Sequence, residues 1–257
     1  MDKYVVITGA GSGIGRATAK QYASKGFNLI VADMNEESLI TLKKEIDSSL
    51  DVQIMVHNLS KESQVFEFYE KTKAYPVAVW VNNAGLGNLC PLLETDVHKA
   101  ILLNRVNVDA TAILTLLFAH DYQDKDATLI NISSWNGYSV TQGNPVYSAT
   151  KFYVSAMSEA LYWELKKGNK AMKIKIICPA FTKTAFVKSS MVHPETDKEL
   201  DYGGYNTAEQ VAEFIYEMYQ SEELIGYADG TDYTFHKVGP KLPDTYNKKE
   251  IPCLLIQ

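Results

Sequence analysis

Six short runs rich in apolar and β-branched residues recur along the first 178 residues, each parted from the next by a longer stretch with helical periodicity. The runs are YVVIT (4–8), NLIVAD (28–33), VQIMVH (52–57), VAVWVN (77–82), TLINIS (128–133) and KIKIIC (173–178). Segments 13–25, 36–48, 61–74, 96–119 and 145–168 lie between them, and a further helical pattern covers 207–220. Strands alternating with helices make βαβ units, and strands that are apolar on both faces must be covered on both. The pattern therefore predicts an α/β chain with one doubly wound parallel sheet, flanked by helices on both faces, with Asn35 and Ser60 as N-caps. No internal repeat, low-complexity segment or linker interrupts the chain before residue 225, so residues 1–257 are expected to form one domain.

Two segments stand outside this rhythm. Residues 180–206 are long, mixed in character and end at Gly203-Gly204, which suits a lid over a site. The tail from 237 to 257 carries three prolines, which exclude a regular helix, yet it ends in apolar residues able to dock.

Composition narrows the classes of function. The net charge is -6 with a pI near 5.4, and Lys and Arg are scattered, so nucleic acid is not an expected partner. Cys90, Cys178 and Cys253 are far apart and the five histidines have no metal-ligand spacing, which argues against a disulfide scaffold or a metal site. The N-terminus breaks into glycines too early for a secretory signal, and no apolar run is expected to span a bilayer. Cys253 is fifth rather than fourth from the end, the wrong place for prenylation. A cytoplasmic protein is expected.

The first strand runs into TGAGSGIG (8–15), whose glycines let the chain turn tightly and approach a ligand, with the free amides of the next helix facing it. Asp33 ends the second strand, 20 positions after Gly13. A carboxylate there can accept from both hydroxyls of an adenosine ribose and would repel a 2′-phosphate, so the pattern favours NAD. Neither Ser12 nor Met34 is basic; Arg16 is close by and keeps NADP as the alternative.

Further on, YSATK (147–151) places Tyr147 and Lys151 one turn apart on a helix face. An ammonium beside a phenol eases loss of its proton; moving a phenol from a pKa of about 10 to near 7 takes roughly 4 kcal/mol. Asn107 lies between two valines in an apolar helical pattern, where an unpaired amide would be costly.

Taken together, TGAGSGIG at 8–15, NNAG at 82–85 and YSATK at 147–151 resemble the short-chain dehydrogenase/reductase family from about Lys3 to Thr184. The resemblance implies a Rossmann-type domain with a parallel sheet of about seven strands, a nicotinamide coenzyme, and a catalytic set of Asn107, Ser134, Tyr147 and Lys151. It assigns coenzyme contacts to Gly9, Ser12, Gly13, Ile14, Gly15, Asp33, Met34, Asn58, Leu59, Asn83, Ala84, Gly85, Tyr147, Lys151, Pro179, Thr182 and Thr184. It implies hydride transfer between NAD and a small-molecule secondary alcohol, ketone or aldehyde, with Tyr147 as acid and base, Ser134 holding the substrate oxygen, and Asn107 bending its helix to seat a water. A homodimer or homotetramer built on the helices at 96–119 and 145–168 is implied as well. An NADPH-dependent carbonyl reductase, and an NAD-binding regulator without turnover, remain as alternatives.

Three departures from the family pattern qualify it. Asn58, uncharged but still able to accept from an amino group, stands where an aspartate usually meets the adenine, Ala180 replaces the glycine of a Pro-Gly pair, and ADGTDYTFHKVGPKLP offers no counterpart to the usual terminal glycine pair. Substrate contacts are expected from 86–91, from 135–144 and from Phe186 and Met191, where Trp135, Tyr138 and Phe181 add aromatic surface.

Overall fold

The computed structural model describes residues 3–191 and 204–244. β1 (Tyr4–Thr8), β2 (Asn28–Asp33), β3 (Val52–Val56), β4 (Val77–Asn82), β5 (Thr128–Ile132) and β6 (Lys173–Cys178) are the six strands expected from the pattern. They alternate with α1 (Gly13–Ser24), α2 (Glu36–Glu45), α3 (Glu62–Thr72), α4 (Val97–Leu103), α5 (Thr111–Tyr122) and α6 (Pro145–Lys167). Two-residue strands β7 (Thr182–Lys183) and β8 (Asn206–Thr207) pair beside the main sheet, with α7 (Ala185–Ser190) between them. After α8 (Ala208–Gln220), β9 (Ile225–Ala228) and β10 (Phe235–Val238) complete the described chain.

The main sheet runs β10-β9-β6-β5-β4-β1-β2-β3. All neighbours are parallel except β10, which returns antiparallel along β9. Eight strands therefore replace the expected seven: β9 is the seventh parallel strand, and the chain then folds back as a hairpin where a glycine pair would otherwise end it. Connections leave in opposite directions from β1 and β4, and the crevice between them is where such sheets hold ligands. One apolar layer packs around Trp80, Phe68, Tyr69 and Phe118 and the other around Tyr22, Leu29, Leu39 and Leu42, all at 1% exposure or less. Burying a side chain of this size contributes about 1.5–3 kcal/mol.

Asn35 caps α2 as expected, accepting from the Ser38 amide, and acidic Glu36 and Glu37 with basic Lys43 and Lys44 suit the helix dipole. Ser60 does not cap α3: that helix begins at Glu62, and the Ser60 hydroxyl and amide both bond Asn58 Oδ1. The stretch expected as one helix at 96–119 is interrupted by a π-helical segment, Asn104–Ala110, between α4 and α5.

Residues 97–122 also correct the reading of apolar runs, since by length and composition this helix could cross a membrane. In the fold its Leu103, Ala110, Leu114 and Phe118 belong to the core. Of the expected lid, residues 192–203 lie outside the described residues, as do 245–257 of the tail. The tail up to Asp244 forms β10 and a strap beyond it, where the Leu242 amide donates to the buried carboxyl of Glu159 on α6 at 2.8 Å.

Candidate active site

The turn after β1 depends on its glycines. Gly9 and Gly13 have φ of +67° and +50°, a left-handed backbone that favours glycine. A Cβ on Gly15 would lie 2.2 Å from the Gly9 carbonyl oxygen, so only hydrogen fits there. Thr8 Oγ1 accepts from the amides of Asn83 and Ala84 at 3.0 Å each, and Asn83 Nδ2 donates to the Thr8 oxygen at 2.9 Å. The ends of β1 and β4 are thereby stapled across the crevice. Gly85 follows at the β4 end, and Ile14 packs on the core from the start of α1. Ser12 stands at the N-cap position with no side-chain cap bond, and the first turn carries no acid, unlike α2. Amides and dipole there are left to an anionic ligand such as a pyrophosphate.

Asp33 closes the far end of this cradle. Its Oδ2 accepts from the Gly11 amide and its Oδ1 from the Asn35 amide, both at 3.0 Å. These bonds aim the carboxylate while leaving lone pairs for hydroxyl donors. Met34 is 69% exposed beside it. Asn58 behaves differently from expectation: its side-chain oxygen is taken by Ser60, so toward an adenine it can offer its amide donors but not an acceptor. Leu59 packs on the core next to it.

Across the crevice lie the four side chains of the second cluster. Ser134 follows β5, accepts from the Asn136 amide at 3.2 Å and faces the Tyr147 phenol, whose ionisation its hydroxyl favours. Lys151 is buried; its Nζ donates to the Ile132 oxygen at 2.9 Å and lies 5.7 Å from the Tyr147 ring centre. Asn107, in the π-helical segment, exchanges two bonds with Leu86: Oδ1 accepts from its amide and Nδ2 donates to its oxygen, both at 2.8 Å. Nδ2 also donates to Thr150 Oγ1 at 3.1 Å. A Cβ built on Gly85 would be 3.4 Å from Asn107 Oδ1 and 3.7 Å from Lys151 Nζ, so these groups converge on one point.

Burial dominates the electrostatics. It pushes the Tyr147 phenol up to about 12, against the pull of the Ser134 hydrogen bond. It lowers Lys151 to about 8 and raises the neighbouring Cys178 thiol to about 12. Lys151 is not among the groups that shift the Tyr147 phenol. The ammonium gives one of its three N–H groups to the Ile132 carbonyl, and a further positive charge in the crevice would bring the phenol down.

Segments after β6 wall the Tyr147 side of the crevice. The Pro179 oxygen accepts from the Trp135 amide at 2.9 Å, and Ala180, not among the residues with positive φ, keeps an ordinary backbone. Thr182 pairs with Asn206 through β7 and β8. Thr184 caps α7 by accepting from the Phe186 amide and rests against the Gly13 position. α7 sits on the 86–91 loop: Leu89 N donates to the Ser190 oxygen at 2.7 Å, Leu89 bridges to Met191, and the Phe186 ring stands 5.9 Å from that of Tyr147.

Several supporting residues were not singled out from the sequence. Ser133 Oγ donates to the Lys151 oxygen at 3.1 Å and meets Ser155 Oγ at 2.8 Å. Asn82, Asn131, Thr115 and Ser158 form a buried network beneath the crevice. Glu159 accepts from the Tyr138 phenol at 2.5 Å. Ser148, Lys151, Ser155, Ser158 and Glu159 follow helical spacing along the buried face of α6, and that polar stripe was a readable signal.

A crossover crevice holding a glycine cradle, an aimed carboxylate and a Tyr-Lys-Ser cluster defines a dinucleotide-binding protein of Rossmann type. The family described as short chain dehydrogenase matches residues 3–194, and the chain belongs to that family. It is 32% identical over 176 residues to a very-long-chain 3-oxoacyl-CoA reductase from Kluyveromyces lactis, covering 63% of this chain and half the length of that relative. It is 30% identical over 194 residues to dehydrogenase/reductase SDR family member 11 of Gallus gallus, covering 72% of this chain and 76% of the relative. Among solved structures, a short chain dehydrogenase/reductase from Burkholderia phymatum in complex with NAD is 28% identical, covers 87% of both chains and superposes with a TM-score of 0.76.

Proposed function

We propose that the chain is an NAD-dependent oxidoreductase that moves a hydride between the coenzyme and a secondary alcohol, ketone or aldehyde. The observation that carries this is the meeting of Ser134, Tyr147, Lys151 and Asn107 beside the glycine cradle. Nicotinamide, when bound, supplies the hydride chemistry and a positive charge in its oxidised form. In the oxidation direction the substrate hydroxyl gives its proton to the Tyr147 phenolate as the carbon gives up hydride; reduction reverses both. Ser134 donates to the oxygen on which charge develops, and Lys151 is placed to hold ribose hydroxyls while its charge favours the phenolate. Asn107 fixes Leu86, the first residue of the loop facing the substrate. The Asp33 carboxylate supports NAD over NADP.

Tyr147→Phe tests the assignment. Turnover should fall by about 10²–10⁴-fold, the usual contribution of a positioned acid or base, while NADH binding persists. Undiminished turnover would remove Tyr147 from the role.

For assembly we read a homodimer on α4, α5 and α6, supported by the exposure of Val97, Ile101, Leu116, Phe152 and Tyr153. Ile101→Glu should convert the species seen by light scattering to monomer; a wild type that is already monomeric counts against the reading.

A further inference from the structure

The coenzyme side of the crevice holds a cluster that the reaction does not use. An open surface depression of about 310 Å³ is lined by Arg16, Asn35, Glu37, Ser38 and Thr41. It opens off the ribose end of the cradle: a Cβ on Gly11 would lie 2.9 Å from Asp33 Oδ2 and 2.3 Å from Ser38 Oγ, so carboxylate and hydroxyl flank a single point of the turn. A phosphate on the ribose hydroxyl that Asp33 faces would enter this space. Arg16 is the cation lining it, and each terminal nitrogen of its fork gives one of its two N–H groups to the protein. Nη2 pairs with Glu45 Oε1 at 2.7 Å and Nη1 donates to the Ser38 oxygen at 3.1 Å. Glu45 binds Lys20 through its other oxygen at 2.6 Å. One carboxylate at the end of α2 thus ties down two cations of α1, and Glu37 and Asp33 add further negative charge beside them.

We infer that Glu45 is a positioning residue for coenzyme choice: it holds and neutralises Arg16, and without it the guanidinium would turn into the depression and accept a ribose 2′-phosphate. The inference rests on reading Asp33 as the NAD-selecting residue and adds a second determinant on a different helix. Guanidinium and phosphate match in geometry, so a released Arg16 is the right donor for that dianion. Lys20, half exposed, would reinforce the field without having to contact the phosphate.

The experiment needs no substrate. NADH and NADPH are titrated by nucleotide fluorescence against wild type, Glu45→Gln, Arg16→Gln and the double variant, with melting curves confirming that each is folded. In Glu45→Gln the ratio of NADPH to NADH dissociation constants should fall about tenfold, the lower range for a charge-assisted hydrogen bond, almost wholly through NADPH. Arg16→Gln alone should leave the ratio unchanged, and the double variant should lose the gain. An unchanged ratio in Glu45→Gln, or a gain that survives loss of Arg16, overturns the role of Glu45. A wild type that prefers NADPH instead overturns the NAD reading, and the Glu45→Gln ratio still decides the role of Glu45.

Discussion

Asn107→Ala separates a structural staple from a bystander. The truncation leaves the Leu86 amide and carbonyl without their partners, whereas Thr150 keeps the bond its hydroxyl donates to the Tyr147 oxygen. Asn107 is 1% exposed, so bulk water does not replace the lost groups. The hole left by the amide is the size of a single water molecule. If a water enters and bridges Leu86, each lost bond costs about 1 kcal/mol; if none does, each orphaned group costs up to about 2 kcal/mol. The expected destabilisation is therefore about 2–4 kcal/mol. For a chain of 257 residues the unfolding entropy is on the order of 0.5 kcal/mol/K, which converts that loss into a fall in Tm of about 4–7 °C by scanning calorimetry. Turnover should drop further than stability implies, on the order of 10–10²-fold at temperatures where the variant is folded, because Leu86 leads the substrate-facing loop. A Tm within about 1 °C of wild type, with turnover within about twofold, would refute the assignment of Asn107 as the staple of that loop.

Two other outcomes follow from the same geometry. Gly15→Ala puts a methyl 2.2 Å from a backbone oxygen that cannot swing away; the turn must open, and NADH affinity measured by fluorescence titration should weaken at least about tenfold, an unchanged constant showing that the cradle is not where the coenzyme binds. Lys151 is lowered by burial from 10.5 to about 8, so between those values the unfolded chain binds more protons than the folded one and stability rises with pH. The burial penalty, about 3 kcal/mol in full, is present below about 8 and relieved above about 10.5. Lys151→Met should remove that part of the slope, making the variant more stable than wild type at pH 7 in the coenzyme-free state; parallel Tm curves for the two proteins from pH 7 to 10 would refute it.

The strands and the crossover crevice were legible because each rests on a local periodicity that tertiary contacts reinforce: a run such as VAVWVN cannot bury both faces anywhere but inside a sheet. What the sequence hid has a common physical origin. Asn58 was expected to present an acceptor, but a side chain three atoms from its own backbone bonds the next turn first, and Ser60 takes that acceptor. The resemblance implied a bend at Asn107, but its π-helical form has no signal in the apolar pattern of 96–119, and the bonds Asn107 exchanges with Leu86 link residues 21 apart. β10 has no pattern of its own to announce it; it pairs with β9 while Phe235 stacks on Phe214 at 4.2 Å, a contact that exists only once α8 has packed.

The Tyr147-Lys151 pair shows where local reasoning stops even when the residues are correctly named. Spacing puts the two side chains on one face, but charge transfer depends on what else competes for the ammonium. Here the Ile132 carbonyl takes one of the three ammonium donors at 2.9 Å, and burial pushes the phenol up to about 12 and the ammonium down to about 8. Both shifts favour the neutral pair, so burial opposes charge on either group. A positive charge entering the crevice would stabilise the phenolate and oppose the ammonium, so the two groups respond to it in opposite senses. On the proposed assignment, a positive charge brought by the coenzyme would therefore favour the proton-accepting form of Tyr147.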